Sequence, residues 1–218
     1  MKKNTIIFII IVACLLVGIG IYSYHSGKEK EKVEYTEVLD KVAVTVDGTN
    51  LTIRDMAFYI AYEESTVEEQ ALVYDAEDTN AYWNLHINGE FVKISARTAA
   101  MDMAVHDEIF YQMALAEKVV LSEEEESILK ERQNDFWTDL SEEAKERIEV
   151  SEEELNQTME KIALAQKYQM VYANMQGASY EDYEFNGDRY KELQDLHEVE
   201  INDSIWNRLD FGNITLEH

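Results

Sequence analysis

Val42-Ala43-Val44-Thr45-Val46-Asp47-Gly48-Thr49-Asn50-Leu51-Thr52-Ile53 is the stretch from which the fold can be read. Val42, Val44 and Val46 alternate with Ala43 and Thr45, the period of two of a strand with one buried face. Asp47-Gly48-Thr49-Asn50 is turn chemistry, and Leu51-Thr52-Ile53 resumes the extended pattern, so the segment predicts a short β-hairpin. Two strands alone are marginal in water, and a third must come from elsewhere in the chain. His197-Glu198-Val199-Glu200-Ile201-Asn202 alternates in the same way and is the candidate.

Most of what lies between reads as helix. Arg54 opens an aromatic-rich helix carrying Met56, Phe58, Tyr59, Ile60 and Tyr62, and the tendency continues from Thr66 to Val73. Asp75 to Asn80 is a polar break, and His86-Ile87-Asn88-Gly89-Glu90 is a second turn. Lys93 to Val120 is the most apolar helix. Met101, Val105, Ile109 and Met113 form one stripe, with Ala100, Met103 and Phe110 on the adjoining face, which predicts a central helix packed on both sides. Ser122-Glu123-Glu124-Glu125 and Ser151-Glu152-Glu153-Glu154 are capping boxes whose acidic first turns suit the helix dipole. They open helices running to about Leu140 and Met175, with a short helix, Ser141 to Ile148, between them. Tyr180 to Leu196 is amphipathic, Asp203 to Leu209 is a short helix, and the tail is irregular. The chain has no proline, so helix ends fall to caps and glycine. The expected fold is mainly α: a helical domain over residues 41–218, with a small β-hairpin joined by a C-terminal strand.

Ahead of this domain, Ile6 to Tyr22 is an uncharged run of 17 apolar or glycine residues following Lys2 and Lys3. As a helix it spans about 25 Å, and Thr5, Ser23 and Tyr24 extend it to roughly the 30 Å of a hydrocarbon core. Residues 1–27 therefore read as a transmembrane anchor or an export signal. Gly18-Ile19-Gly20 and the Ser23 to Gly27 stretch are poor cleavage sites. Ile11-Val12-Ala13-Cys14 looks like a bacterial lipobox, which would make Cys14 a lipidation site. Eight more apolar residues follow it, however, where a lipoprotein signal has already ended. An uncleaved single-pass anchor is the expectation. Lysines flank both ends, so the body is placed on the extracytoplasmic side of a bacterial cell membrane because export is what such a segment usually does. Residues 28–40 form a charged tether.

All 45 acidic residues but only 17 of the 19 basic ones follow Gly27, leaving the body at −28. Such a surface stays soluble, and it repels nucleic acid and anionic headgroups. The single cysteine lies in the membrane run, so the body can form no disulfide and is stabilised by packing alone. The body has no serine nucleophile elbow and no phosphate-cradling glycine loop, and no histidine pair has zinc-ligand spacing. His106, with Asp102 one turn before it and Asp107 beside it, reads as a satisfied core histidine. Carboxylate pairs occur throughout and single out no acid/base couple. Nothing here points to an enzyme, a metal, a cofactor or a nucleotide. What stands out is Phe58, Tyr59, Tyr62, Met101, Met103, Phe110 and Met113. Flexible thioethers and aromatics suit an adaptable peptide-binding surface, and the same spacing suits plain core.

The order of these elements carries a resemblance. Val42 to Gly48, then Leu51-Thr52-Ile53-Arg54-Asp55-Met56 and Phe58-Tyr59, resembles the opening of the SurA/PrsA-type chaperone and foldase domain. Asp107 to Leu121, leading into Ser122-Glu123-Glu124-Glu125, is similar to the family's core helix, hydrophobic link and acidic-capped helix, and Ser151 to Ala173 to its outgoing helix. Val199-Glu200-Ile201-Asn202-Asp203-Ser204-Ile205-Trp206 looks like its returning strand and helix. The resemblance covers most of residues 41–210. Foldases of this kind usually carry a parvulin prolyl isomerase domain before the returning strand. Here only the 22 residues from Gln176 to His197 bridge that gap, and the parvulin glycine signature is absent. The resemblance implies a helical chaperone-like domain that binds unfolded or newly exported polypeptides, without prolyl isomerase activity. The alternative is a bitopic membrane scaffold or accessory subunit that turns the same stripe toward one fixed protein partner.

Overall fold

The computed structural model describes residues 32–218; the expected anchor at 1–27, Cys14 and the first residues of the tether lie outside the described residues. Residues 33–218 form one unit with its own hydrophobic core. The hairpin forms as β1 (Val42–Val46) and β2 (Thr49–Thr52), with Val46 opposite Thr49 and Val44 opposite Leu51. Asp47 and Gly48 both take positive φ (48° and 80°), the primed turn whose twist matches that of the strands. The chain then runs through α1 (Ala57–Tyr74), α2 (Thr79–Trp83) and a second tight hairpin, β3 (His86–Ile87) and β4 (Glu90–Phe91). It continues through α3 (Val92–Ala116), α4 (Glu123–Asp139), α5 (Glu142–Ile148), α6 (Glu152–Met175) and α7 (Asp188–Gln194) to β5 (Val199–Ile201). The expected third strand is thus in place. β5 pairs antiparallel with β1, giving the order β2-β1-β5. The hairpin turn itself seats the returning strand: the Asp47 carboxylate accepts from the Glu198 amide at 2.8 Å and lies 2.6 Å from His197 Nδ1. The His197 contact, then the Glu198 amide, hold the Asp47 carboxyl below its ordinary value.

Both capping boxes are present, Ser122 with Glu125 and Ser151 with Glu154. α3 is central as its two apolar faces predict, burying Ala100, Met101, Ala104, Val105, Ile109 and Phe110 between α1 and α6. It stops at Ala116 rather than Val120, because Lys118 turns left-handed (φ 56°) and the Val119 amide donates back to the Ala114 carbonyl. Tyr180 to Leu196 is not one amphipathic helix; it divides into a 3-10 turn, Glu181–Tyr183, and α7. Trp206–Arg208 is likewise a 3-10 turn where a short helix was expected. Val33 to Asp40 belongs to the domain rather than to a free tether. Tyr35 and Leu39 are buried, and the Val33 amide donates to the Arg208 carbonyl.

The closing segment is irregular, as its sequence predicts, yet Phe211, Ile214 and Thr215 are buried. What holds it is Glu64, a fully buried carboxylate on α1. Oε1 accepts from the amides of Gly212 (2.6 Å) and Ile214 (3.2 Å), and Oε2 from the amide (2.7 Å) and hydroxyl (2.6 Å) of Thr215. Arg147 on α5 donates to the carbonyls of the same stretch, Asn213 at 2.7 Å and Ile214 at 3.2 Å. Burial raises the Glu64 carboxyl above its ordinary value, and the four donors oppose that shift. The three amides can only donate, so they favour the charged carboxylate that burial disfavours. Gly212 sits at φ +90° with the Trp83 ring against it, so a Cβ would fall 2.8 Å from the indole.

Replacing Glu64 by Ala strands those donors, and the segment frees itself to reach water. We expect Glu64→Ala to lower stability by about 2–4 kcal/mol, charge-assisted hydrogen bonds being the strong class. Amide exchange at Gly212, Ile214 and Thr215 should accelerate while β1 stays protected. Gly212→Val should reproduce the pattern through steric expulsion. Unchanged protection in both variants would show that the carboxylate does not hold this segment.

Candidate functional site: a trough between two helices

α4 carries only four apolar residues, Ile128, Leu129, Phe136 and Trp137, in a helix of 17. Too few to bury, they leave α4 with no fully buried residue. It is held at points instead. Lys167 on α6 donates to the Glu125 carboxylate and to the Val120 carbonyl (2.9 Å) at one end. The Gln133 amide donates to the Asn156 carbonyl on the flank (3.0 Å), and the Phe136 ring packs on Phe58 (4.7 Å) at the other end. Between these attachments one side of the α4–α6 seam stays open.

The opening is a single trough. One part, about 500 Å³, is lined by Leu121, Ile128, Met170, Val171 and Tyr180. The other, about 380 Å³, is lined by Phe58, Tyr62, Phe136, Met159 and Ile162. Leu129, Arg132, Ala163 and Gln166 line both, which joins the two end to end. Ile128 is 45% exposed and Met170 50%, large apolar side chains left uncovered on facing helices.

Charge along the trough is uneven. The Lys167 contact, then those to Ser122, pull the Glu125 carboxyl down to about 2, so that end carries a closed ion pair. Arg132, at mid-trough, has no acidic partner among the described residues. Asp135 and Asp139 line the far end beside Phe58 and Tyr62, also without a cationic partner among the described residues. Burial raises the Tyr180 hydroxyl to about 12, which keeps it a neutral donor.

The seven residues singled out from the sequence part company here. Phe58 and Tyr62 stack at 6.0 Å and line the trough. Tyr59 is buried, its hydroxyl donating to Asp107 Oδ2 at 3.2 Å. Met101 (2% exposed) and Phe110 (0%) are inside the core, and Met103 and Met113 pack half-buried against it. The α3 stripe is therefore filled. Ile128, Leu129, Arg132, Met159, Met170 and Val171 were not anticipated. Their signal is an adjacent apolar pair repeated eight residues later, Ile128-Leu129 and Phe136-Trp137 on α4, matched by Ile162-Ala163 and Met170-Val171 on α6.

His106 is a satisfied core residue. Nε2 donates to the Tyr183 carbonyl (2.9 Å) and Nδ1 meets Asp107 (2.9 Å), with the ring against Tyr190 and Phe110; Asp102 takes no part. The recess beside it, lined by Asp55, Tyr59, Asp107, Glu108 and Lys161, holds about 10 Å³, too little for a substrate. Among the described residues no group of three or more His, Cys, Asp and Glu stands where it could hold a metal ion. No described helix is long and apolar enough to cross a membrane.

No protein-family model matches the chain, and no curated protein or solved structure does.

Because the folded Glu125 carboxyl titrates near 2, below its ordinary 4.5, its contribution is fully present above 4.5 and is lost as pH falls toward 2. Protection of the α4 amides Glu126 to Lys130 should drop across that window, with the buried centre of α3 around Val105 unaffected. Lys167→Met should give the same loss at neutral pH. Flat protection of α4 from pH 5 to pH 2 would show that the pair does not fasten the helix.

Proposed function

We propose that this protein is a membrane-anchored, extracytoplasmic binder of unfolded or newly exported polypeptides, chaperone-like and without prolyl isomerase activity. The observation that carries this reading is the apolar trough along α4 and α6, left open by a helix that buries none of its own residues. A concave surface of half-exposed Ile, Met, Val and aromatic side chains on a body of −28 charge favours a binding role over a packing remnant. Met159 and Met170 adapt to varied apolar partners, and the acidic body draws basic segments by long-range attraction. The SurA/PrsA-like order of hairpin, aromatic helix and returning strand supports the chaperone part of such foldases. The apolar run Ile6 to Tyr22 supports attachment to the membrane. Exchange of bound segments rests on weak affinity, with no nucleotide involved.

Residues 32–218, which contain the whole core described above, should suppress the light scattering of a denatured basic reporter protein at near-stoichiometric amounts. Ile128→Ser with Met170→Ser should weaken that suppression several-fold and leave the far-ultraviolet circular dichroism unchanged, since both side chains are half exposed. Phe110→Ser instead opens a core cavity costing about 3–5 kcal/mol and should unfold the domain. A folded wild-type fragment that leaves scattering unchanged would move the assignment to a scaffold with one fixed membrane partner.

A further inference from the structure

Resting on that peptide-binding reading, we infer that the trough takes its occupant as an amphipathic helix of about four turns. Its basic amino-terminal turn lies against Asp135 and Asp139.

The conformation follows from the walls. α4 and α6 present their sides, and along their lengths every backbone amide and carbonyl is committed to its own helix. An extended peptide in the trough would find no strand edge, and would bury its own amides and carbonyls unpaired against apolar side chains. A helical segment brings its backbone hydrogen bonds with it. The lining residues repeat at intervals of three and four, Glu125, Ile128, Leu129, Arg132, Phe136 and Asp139 on one wall. Two such ridged surfaces are the seat of a third helix, packed ridges into grooves. Glu125 to Asp139 covers about 21 Å along the axis, room for roughly 14 residues.

The direction follows from the charges. At the Phe58 and Tyr62 end an incoming Lys or Arg meets two aromatic rings and two carboxylates that have no cationic partner among the described residues. The positive end of a helix dipole is favoured at the same place, so the occupant runs antiparallel to α4. Arg132, one to two turns along, favours an acidic side chain there. Beyond it, Ile128, Leu121, Met170 and Val171 offer only apolar contact, and the Glu125–Lys167 pair is already closed. The occupant class is therefore a segment that is basic in its first turn, acidic at its middle and apolar on one face throughout.

Three fluorescent 14-residue peptides, the first two of one composition, test this by anisotropy with residues 32–218. The first is a Leu/Ala amphipathic helix with two Lys in its first turn and Glu at position 7. The second carries the Lys pair in its last turn, and the third has the first peptide's order with a central Pro in place of one Ala. The first should bind about tenfold more tightly than the second and gain helical circular dichroism on binding, and the third should lose tenfold or more. Asp135→Asn with Asp139→Asn should erase the difference between the first two, and Ile128→Ser should weaken both. Equal binding of the Pro peptide, or equal binding of both charge orders, would overturn the helical, oriented occupant and leave peptide binding standing. Binding of none of the three, with scattering unsuppressed, would overturn both readings.

Discussion

A carboxylate sealed from water must find its donors inside the protein, and Glu64 finds four in one short stretch. That requirement explains why the segment from Gly212 to Thr215 has no regular structure: a helix or a strand would already have spent the amides Glu64 needs. Arg147 accepts the complementary role and takes the carbonyls that the same irregularity leaves free. One acid and one base thus divide the two sides of a single backbone segment, and α1 and α5 are fixed to it from opposite polarities. Trp83, packed on Gly212, adds α2 to the same knot. With α5 fixed, the turn at Leu140 and Ser141 that delivers the end of α4 is fixed as well, and the trough inherits its far wall.

The trough exists because α4 has too little apolar surface to close it. A helix with four apolar residues cannot be drawn into a core, yet the capping box and acidic first turn make it a stable helix in its own right. Point attachments then decide its distance from α6. The core proper is built one layer away, where the alanines of α3 let α1 and α6 approach closely.

Elements set by short-range chemistry were legible in the sequence. Asp47-Gly48, the valine alternation, Asn88-Gly89 and the two capping boxes each need only a few neighbouring residues to act, and each appears where those residues stand. The third strand was legible because its alternation is as regular as that of the first. Glu64 was not, since within Glu63-Glu64-Ser65-Thr66 nothing marks one glutamate for burial; its donors lie 148 to 151 residues away. The trough was half legible. Phe58 and Tyr62 could be picked out, but the pattern that flagged them flagged Met101 and Phe110 too, because a filled stripe and an open one use the same spacing. Whether a stripe is covered depends on the partner helix, and α4's scarcity of apolar residues was the part of the sequence that told.

β1 is the middle strand, and its two neighbours arrive at very different times. β2 follows at once, whereas Ile201 must come back to pair with Val44. A ribosome releases the chain from its amino terminus, so β1 stays an edge with its outer hydrogen-bonding groups bare until β5 has been made. The Glu64 carboxylate waits longer still, until Thr215 emerges. Both the middle strand and the buried acid on α1 are therefore completed only by residues 199–215. A chain cut short before residue 199 leaves the outer edge of β1 bare, and one cut short before Gly212 leaves Glu64 buried without its donors.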